Sequence, residues 1–271
     1  MRRVSARLLP FLFVLYVFNY LDRTNVGMAA LQMNRDLRFS ASTYGFGAGI
    51  FFVGYALLEV PSNLILVRVG ARRWIARIMI TWGLIAAAMM FVRTPLQFYG
   101  LRFLLVVAEA GFLPGVLFYL TSWFPAVERA RVVSRFMVAI PVAGVVSGAV
   151  AGALLGLQGR LGLAGWQWLF LAEGLPSVML GCAVLGYLPD RPEEARWLGP
   201  EERAWLTARL RVESEQCAQR HPVSLRRALS SGTIWRLGLL YFIVLTSNYA
   251  YNFWAPAHRS PRCTVPRSVG C

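Results

Sequence analysis

The sequence predicts an all-α membrane protein, with six transmembrane helices in one bundle and a seventh beyond a polar connector. Three observations carry that reading. Hydrophobic residues make up 57% of the 271 and charged residues only 15%, with a mean hydropathy of +0.51, more apolar than ordinary globular domains. Stretches long enough to cross about 30 Å of hydrocarbon, which takes about 20 helical residues, recur at 8–30, 44–66, 74–93, 97–122, 132–156, 166–188 and 233–256. The arginines then gather at alternate ends of those stretches.

The first stretch follows Arg2, Arg3 and Arg7 and contains Asp22 and Arg23. Its apolar run continues past that charge into further helix, and GMAA at 27–30 is a weak cleavage site, so it reads as a retained span and not a signal peptide. On a helical wheel Tyr16, Asn19, Asp22 and Arg23 share about a third of the circumference at about 100° per residue. The second stretch carries Tyr55, Glu59 and Asn63 on one face, each four residues on from the last. Arg68, Arg72, Arg73 and Arg77 surround the turn into the third. The fourth, RFLLVVAEAGF, sets Arg102 and Glu109 two turns apart on the same face, about 10 Å along the axis. Arg129, Arg131 and Arg135 precede the fifth, which holds Gly144, Gly148, Gly152 and Gly156 just after Pro141. Small residues at that spacing predict close helix packing. Trp123, Trp166 and Trp168 fall near helix ends, as an interfacial aromatic belt would place them.

By the arginine asymmetry the amino terminus is cytoplasmic, and six helices return the connector 189–232 to the same side. In that connector GPEE reads as a helix start, with Pro200 in the first turn and Glu201 and Glu202 at the positive end. Leu206 and Leu210 then share a face, which predicts a short amphipathic helix at the membrane surface, against the alternative of a solvated linker helix. Helix seven, TSNYAYNFWAP, offers Asn248, Tyr251 and Asn252 on one face. Substrate contact and interhelical hydrogen bonding both account for them.

Several functions are excluded. The formal charge of +15 comes in short clusters between apolar runs and not on one exposed face, which argues against nucleic acid as a partner. Cys182, Cys217, Cys263 and Cys271 show no CxxC pair or zinc spacing, so no metal or cofactor is expected. An intramembrane serine protease needs a histidine base, yet His221 lies in the connector and His258 beyond the last span. An ATP-driven pump needs a GxxxxGK[ST] loop, which is absent. No enzymatic activity is expected.

A charge at the centre of a membrane helix costs about 2.5–3.5 kcal/mol, so Asp22, Arg23, Arg102 and Glu109 require partners or water. Cancellation in structural ion pairs is one account. The other is a polar cavity, because ionisable residues inside the membrane mark ion and substrate pathways. Arginine presents a planar fork that fits a carboxylate, and a carboxyl such as Asp22 or Glu109 is a carrier for a driving proton.

The segments NYLDRTNVGMA, GYALLEVPSNLILVRVGARRWIARIMITWG, RFLLVVAEAGFLPGVLFYLTSWFP, GWQWLFLAEGLPSVMLG and YLPDRPEEARWL together resemble the anion:cation symporter family of the major facilitator superfamily, over residues 8 to 256. The nearest resemblance is to bacterial tartrate, phthalate and hydroxyphenylacetate-type permeases. It implies two six-helix halves, alternating access, and proton-coupled uptake of organic carboxylate anions across the bacterial inner membrane. It also implies Arg23, Arg102, Tyr20 and Tyr55 as substrate contacts, with Asn252 added from helix seven, and Asp22 and Glu109 as proton carriers. The superfamily's loop GxxxDRxGRR corresponds to NLILVRVGARR, where Arg68, Gly70, Arg72 and Arg73 remain as a conformational motif. Val67 stands where that loop usually has Asp, so the usual charge relay lacks its carboxylate. Val106 stands where many relatives have Gly.

These readings divide the chain into a bundle at 1–188, a connector at 189–232, the seventh span at 233–256 and a tail at 257–271. The tail, HRSPRCTVPRSVGC from His258, has no apolar period. The sequence expectation is a truncation or frameshift near residue 257, which leaves a non-transporting remnant as the alternative to a working symporter.

Overall fold

The computed structural model describes residues 1–220 and 230–258, and the regular structure among them is helical throughout. The chain divides into two units, Met1–His221 and Pro222–Cys271. The first unit contains α1 (Arg2–Leu37), α2 (Ala41–Val69), α3 (Ala71–Ala88), α4 (Pro95–Glu109), α5 (Phe112–Thr121), α6 (Ala126–Met137), α7 (Ala139–Leu155), α8 (Gly165–Tyr187) and α9 (Pro200–Arg220). The second contains α10 (Gly232–His258). Among the described residues, five segments are long and apolar enough to cross a membrane: Arg2–Leu37, Ala71–Phe91, Pro95–Thr121, Ala126–Leu155 and Gly165–Tyr187. His221 and the tail from residue 259 lie outside the described residues, as do the side chains of Asn248, Tyr251 and Asn252.

Local chemistry sets the boundaries. Ser40 caps α2 by accepting the Thr43 N–H at 3.1 Å. Thr94 and Gln97 form a reciprocal capping box at the start of α4, with Pro95 in the first turn, where its missing N–H costs nothing. The fourth apolar stretch, expected as one helix, is two. It breaks at Ala110–Gly111, where Gly111 adopts φ 88°. The Ser62 hydroxyl of α2 donates to the Ala110 carbonyl at 2.5 Å and accepts the Trp74 indole N–H at 3.0 Å. A Cβ on Gly111 would overlap that hydroxyl, so the break needs glycine for both dihedral and space.

Helices α3 and α8 are packed backbone to backbone. A Cβ on Gly83 would lie 2.7 Å from the Gly174 carbonyl, and one on Gly181 would lie 2.9 Å from the Ile80 nitrogen, the close approach that small residues permit in a bilayer. Helix α1 packs against α2, α6, α7 and α8. Its buried Leu8, Leu12, Leu15 and Tyr16 join Ile75, Met79 and Trp82 of α3 and Phe112 and Tyr119 of α5 in one core. Val106 of α4 is received by Gly54 of α2, whose added Cβ would meet it at 2.8 Å.

Two packing expectations are corrected. On α7 it is Ala143, Ser147 and Ala151 that are buried, while nothing lies within 4 Å of a Cβ built on Gly144, Gly148 or Gly152. The close-packed face is therefore one residue out of phase with the glycines, about 100° around the helix. The tryptophans do not form a common lipid-facing belt either. Trp123 is fully buried and stacks on Trp197 with centroids 5.9 Å apart. Trp166 is buried too, and donates to Asp36 Oδ2 at 3.0 Å. Both indole N–H groups lie inside protein.

The connector's helix begins at Pro200 and is docked. Leu206 is buried and Leu210 packs on the same core, so the solvated-linker alternative does not describe it. Glu213 accepts the Ala126 N–H at 2.9 and 3.1 Å and pairs with Arg129 at 3.4 Å. A side chain of α9 thereby caps the open N-terminus of α6.

Candidate functional site

The polar centre forms where α1 crosses the end of α4. Asn19, Asp22 and Glu109 are buried, as is the whole Arg102 side chain at 1% exposure. Glu109 is the last residue of α4, immediately before the glycine break, and its Oε1 accepts from Arg23 Nε at 2.5 Å and Asn19 Nδ2 at 2.8 Å. Asn19 and Arg23 lie one turn apart on α1, so both donors reach one oxygen. The Arg23 guanidinium lies 4.7 Å over the Tyr55 ring and 6.0 Å from that of Phe51. These aromatic faces of α2 attract a cation that has left water.

Arg102 is held differently. Its Cζ sits 4.7 Å over the Phe51 ring and its Nε donates to the Gly47 carbonyl at 3.4 Å. Its Nη1 has no hydrogen-bond partner among the described residues. Asp22 and Glu109 lie within electrostatic reach of it, but neither forms an ion pair with it among the described residues. Asp22 Oδ2 is likewise buried and without a partner among those residues. The centre thus contains one ion pair, Arg23 with Glu109, in which Glu109 Oε2 has no hydrogen-bond partner among the described residues, and beside it a cation and an acid outside that pair, Arg102 and Asp22. A planar anion bridging to Arg102 would meet an available N–H donor in a low-dielectric setting.

Sequence reasoning brought Asp22, Arg23, Asn19, Tyr55, Arg102 and Glu109 to this region. Tyr20 is half-buried and packs against the hydrophobic core cluster, and Glu59 lies further along α2, half-buried. The Asn252 side chain is outside the described residues. One cluster was missed. Glu173 of α8, 4% exposed, accepts from Asn25 Nδ2, and next to it Thr24 Oγ1 lies 2.6 Å from Ser147 Oγ of α7. An acid inside the apolar stretch LFLAEGLPS carries the same signal as Asp22, and the same insertion cost would have found it. Among the described residues no three His, Cys, Asp or Glu side chains gather as metal ligands would.

At the turn between α2 and α3, Gly70 takes φ 96°, and the Arg72 N–H donates to Asp190 Oδ1 at 2.9 Å. The carboxylate that Val67 does not supply arrives from the start of the connector instead, at the positive end of α3. Arg68 and Arg73 are exposed and Arg72 is half-buried.

The family model described as the Major Facilitator Superfamily matches residues 12–262. A protein of Agrobacterium vitis named "Putative tartrate transporter" is 51% identical over 257 residues, covering 94% of this chain and 59% of that relative. A Pseudomonas putida protein named "Putative metabolite transport protein NicT" is 50% identical over 256 residues, covering 94% of this chain and 58% of that relative. The chain thus spans about three fifths of the length of these curated relatives. Among solved structures, a bacterial homologue of the human lysosomal transporter Spinster, in an inward-facing and unoccupied conformation, superposes with a TM-score of 0.72 at 20% identity, over 94% of this chain and 55% of that one.

Proposed function

The chain belongs to the major facilitator superfamily, and from that premise we propose that its polar centre serves proton-coupled symport of organic carboxylate anions across the bacterial inner membrane, with the amino terminus cytoplasmic. The observation that carries the reading is the unequal state of the two buried arginines. Arg23 is ion-paired with Glu109 at 2.5 Å, whereas Arg102 forms no ion pair among the described residues, with Asp22 and Glu109 within electrostatic reach and its Nη1 without a hydrogen bond there.

In the proposed cycle a substrate carboxylate approaches Arg102 first. A proton taken up by Glu109 cancels its charge and releases the Arg23 guanidinium, which turns to the same anion as a second fork. Tyr55 and Phe51 hold the two cations in place meanwhile. Asp22 is the second proton carrier. Tyr20 and Asn252 are substrate contacts in this reading, and Arg68, Gly70, Arg72 and Arg73 form the conformational motif. Residues 1–188 supply the bundle, 189–232 the connector and 233–256 a further span. The names of the tartrate and metabolite transporters support small organic anions as the substrate class.

The test is uptake of labelled tartrate into vesicles under an imposed proton gradient, with equilibrium binding measured on the same protein. Loss of uptake and binding in Arg102→Ala, with both retained in the exposed Arg160→Ala, supports the site. Equal effects of the two substitutions refute it. Binding without uptake favours the non-transporting alternative and leaves the site assignment standing.

A further inference from the structure

A cleft of about 670 Å³ opens at the end of the bundle where both α1 and α6 begin. Arg2 of α1 and Arg131 and Arg135 of α6 line its mouth; Leu9, Phe13 and Phe136 line its apolar wall. Arg131 and Arg135 are one turn apart and so lie on one face of α6. All three arginines are exposed, and none forms an ion pair among the described residues. Their neighbours are engaged: Arg3 pairs with Glu202 at 3.3 Å, Arg129 with Glu213 at 3.4 Å, and Arg7 lies over Tyr187 and Trp197 at 5.1 and 5.2 Å. Among the described residues Glu128 is the one acid lining the cleft, against three arginines. A second cleft beside it, of about 760 Å³, sets Arg2 and Arg3 against Glu201 and Glu202. That one is charge-balanced and selects no anion.

We propose that the cleft between α1 and α6 binds an anionic phospholipid, with the headgroup phosphate on Arg131, Arg135 and Arg2 and an acyl chain along Leu9, Phe13 and Phe136. The occupant follows from the two halves of the site. Unpaired arginines at the start of α1 and in the later turns of α6 demand an anion. The apolar wall directly below them offers a free phosphate or small carboxylate nothing, whereas a lipid satisfies both halves. This assignment is independent of the transported substrate.

The experiment is a titration of the full chain in neutral detergent with phosphatidylglycerol, phosphatidylcholine or inorganic phosphate, read by native mass spectrometry and thermal unfolding. Phosphatidylglycerol is expected to bind and to raise the melting temperature at concentrations where the other two do not. Arg131→Gln/Arg135→Gln should weaken that binding about 25-fold, at about a factor of five per arginine. Ala6→Trp, which fills the cleft without changing charge, should abolish it, and Arg160→Gln should leave it intact. Equal affinity of the double variant and the unaltered chain overturns the proposal. Protection by inorganic phosphate at the same concentrations also overturns it, as it would mark a small-anion site.

Discussion

Glu109→Gln tests whether the buried pair at the centre is held by charge. The Glu109 side chain has no exposure and that of Arg23 has 12%, so water screens neither. In the variant the amide oxygen still accepts from Asn19 and Arg23, but Arg23 loses its counter-charge where it cannot recover hydration. Breaking a buried pair by removing one partner costs about 3–5 kcal/mol, and the surviving hydrogen bonds to the amide oxygen return about 1 kcal/mol. The expected loss is therefore about 3 kcal/mol, or roughly 6–12 °C in melting temperature at about 2–4 °C per kcal/mol for a domain of this size. Arg23→Gln should cost a similar amount, for it leaves a charged Glu109 buried. In Arg23→Gln/Glu109→Gln two neutral amides meet, so the double variant should be more stable than the sum of the singles by about 2 kcal/mol. The assay is unfolding of all four proteins in the same detergent at one pH. Additivity within about 0.5 kcal/mol would refute the reasoning: the pair would then be a contact without electrostatic weight.

Three further outcomes follow from the packing. Gly111→Ala must hold an alanine at φ 88° against the Ser62 hydroxyl, at a cost of about 1–2 kcal/mol for the dihedral and about 1 kcal/mol for a displaced hydrogen bond; Ser62→Ala should relieve only the second part, which the melting temperatures of the two singles and the double would show. Asn25→Ala removes the side-chain donor to Glu173 and should destabilise by about 1–3 kcal/mol, with part of the loss recovered when Glu173→Met is added, because an apolar pair leaves no orphaned acceptor. Glu213→Ala uncaps α6 at Ala126 and should cost about 1 kcal/mol. Its mark in hydrogen exchange is about a fivefold faster exchange confined to the first turn of α6.

Much of this was legible from residue order, and what was not has physical causes. Apolar length alone located five of the seven expected spans among the described residues, because backbone groups in hydrocarbon must be satisfied inside each helix; 44–66 and 233–256 lie within helices that are not among those five. The charged residues of the centre were legible because each carries an insertion cost that demands a partner. Their pairing was not. A helical wheel puts Arg102 and Glu109 on one face of a continuous helix, but it does not show that Arg23 of α1 reaches Glu109 first. The break at Gly111 was hidden because one glycine in an apolar run is compatible with helix, and the Ser62 hydroxyl that leaves no room for a Cβ there lies 49 positions away in sequence. The glycine series on α7 misled for a related reason. Spacing identifies a face, and only the neighbours decide whether that face is buried. Asp190 likewise answers the missing loop carboxylate from 123 positions beyond Val67, a distance no local motif spans.

The run Asp22, Arg23, Thr24 and Asn25 also says more than a single polar stripe. Four consecutive residues step about 100° each and so point to every side of a helix, which a membrane helix tolerates only when protein surrounds it. The contacts bear this out in the first compact unit: Arg23 turns to α4, Thr24 to α7 and Asn25 to α8. Each of these three groups has an answering side chain, and the insertion cost of each is offset there. Asp22 differs, since its Oδ2 has no partner among the described residues. On the proposed function that asymmetry is the useful one. Glu109 has Oε1 committed to Asn19 and Arg23 and offers a proton its Oε2, whereas Asp22, beside that pair and an arginine without an ion pair, responds to whichever ion reaches it. Asp22→Asn should accordingly leave tartrate binding in place while abolishing the dependence of uptake on the proton gradient. Gradient-driven uptake that survives the substitution would move the coupling role to Glu109 alone.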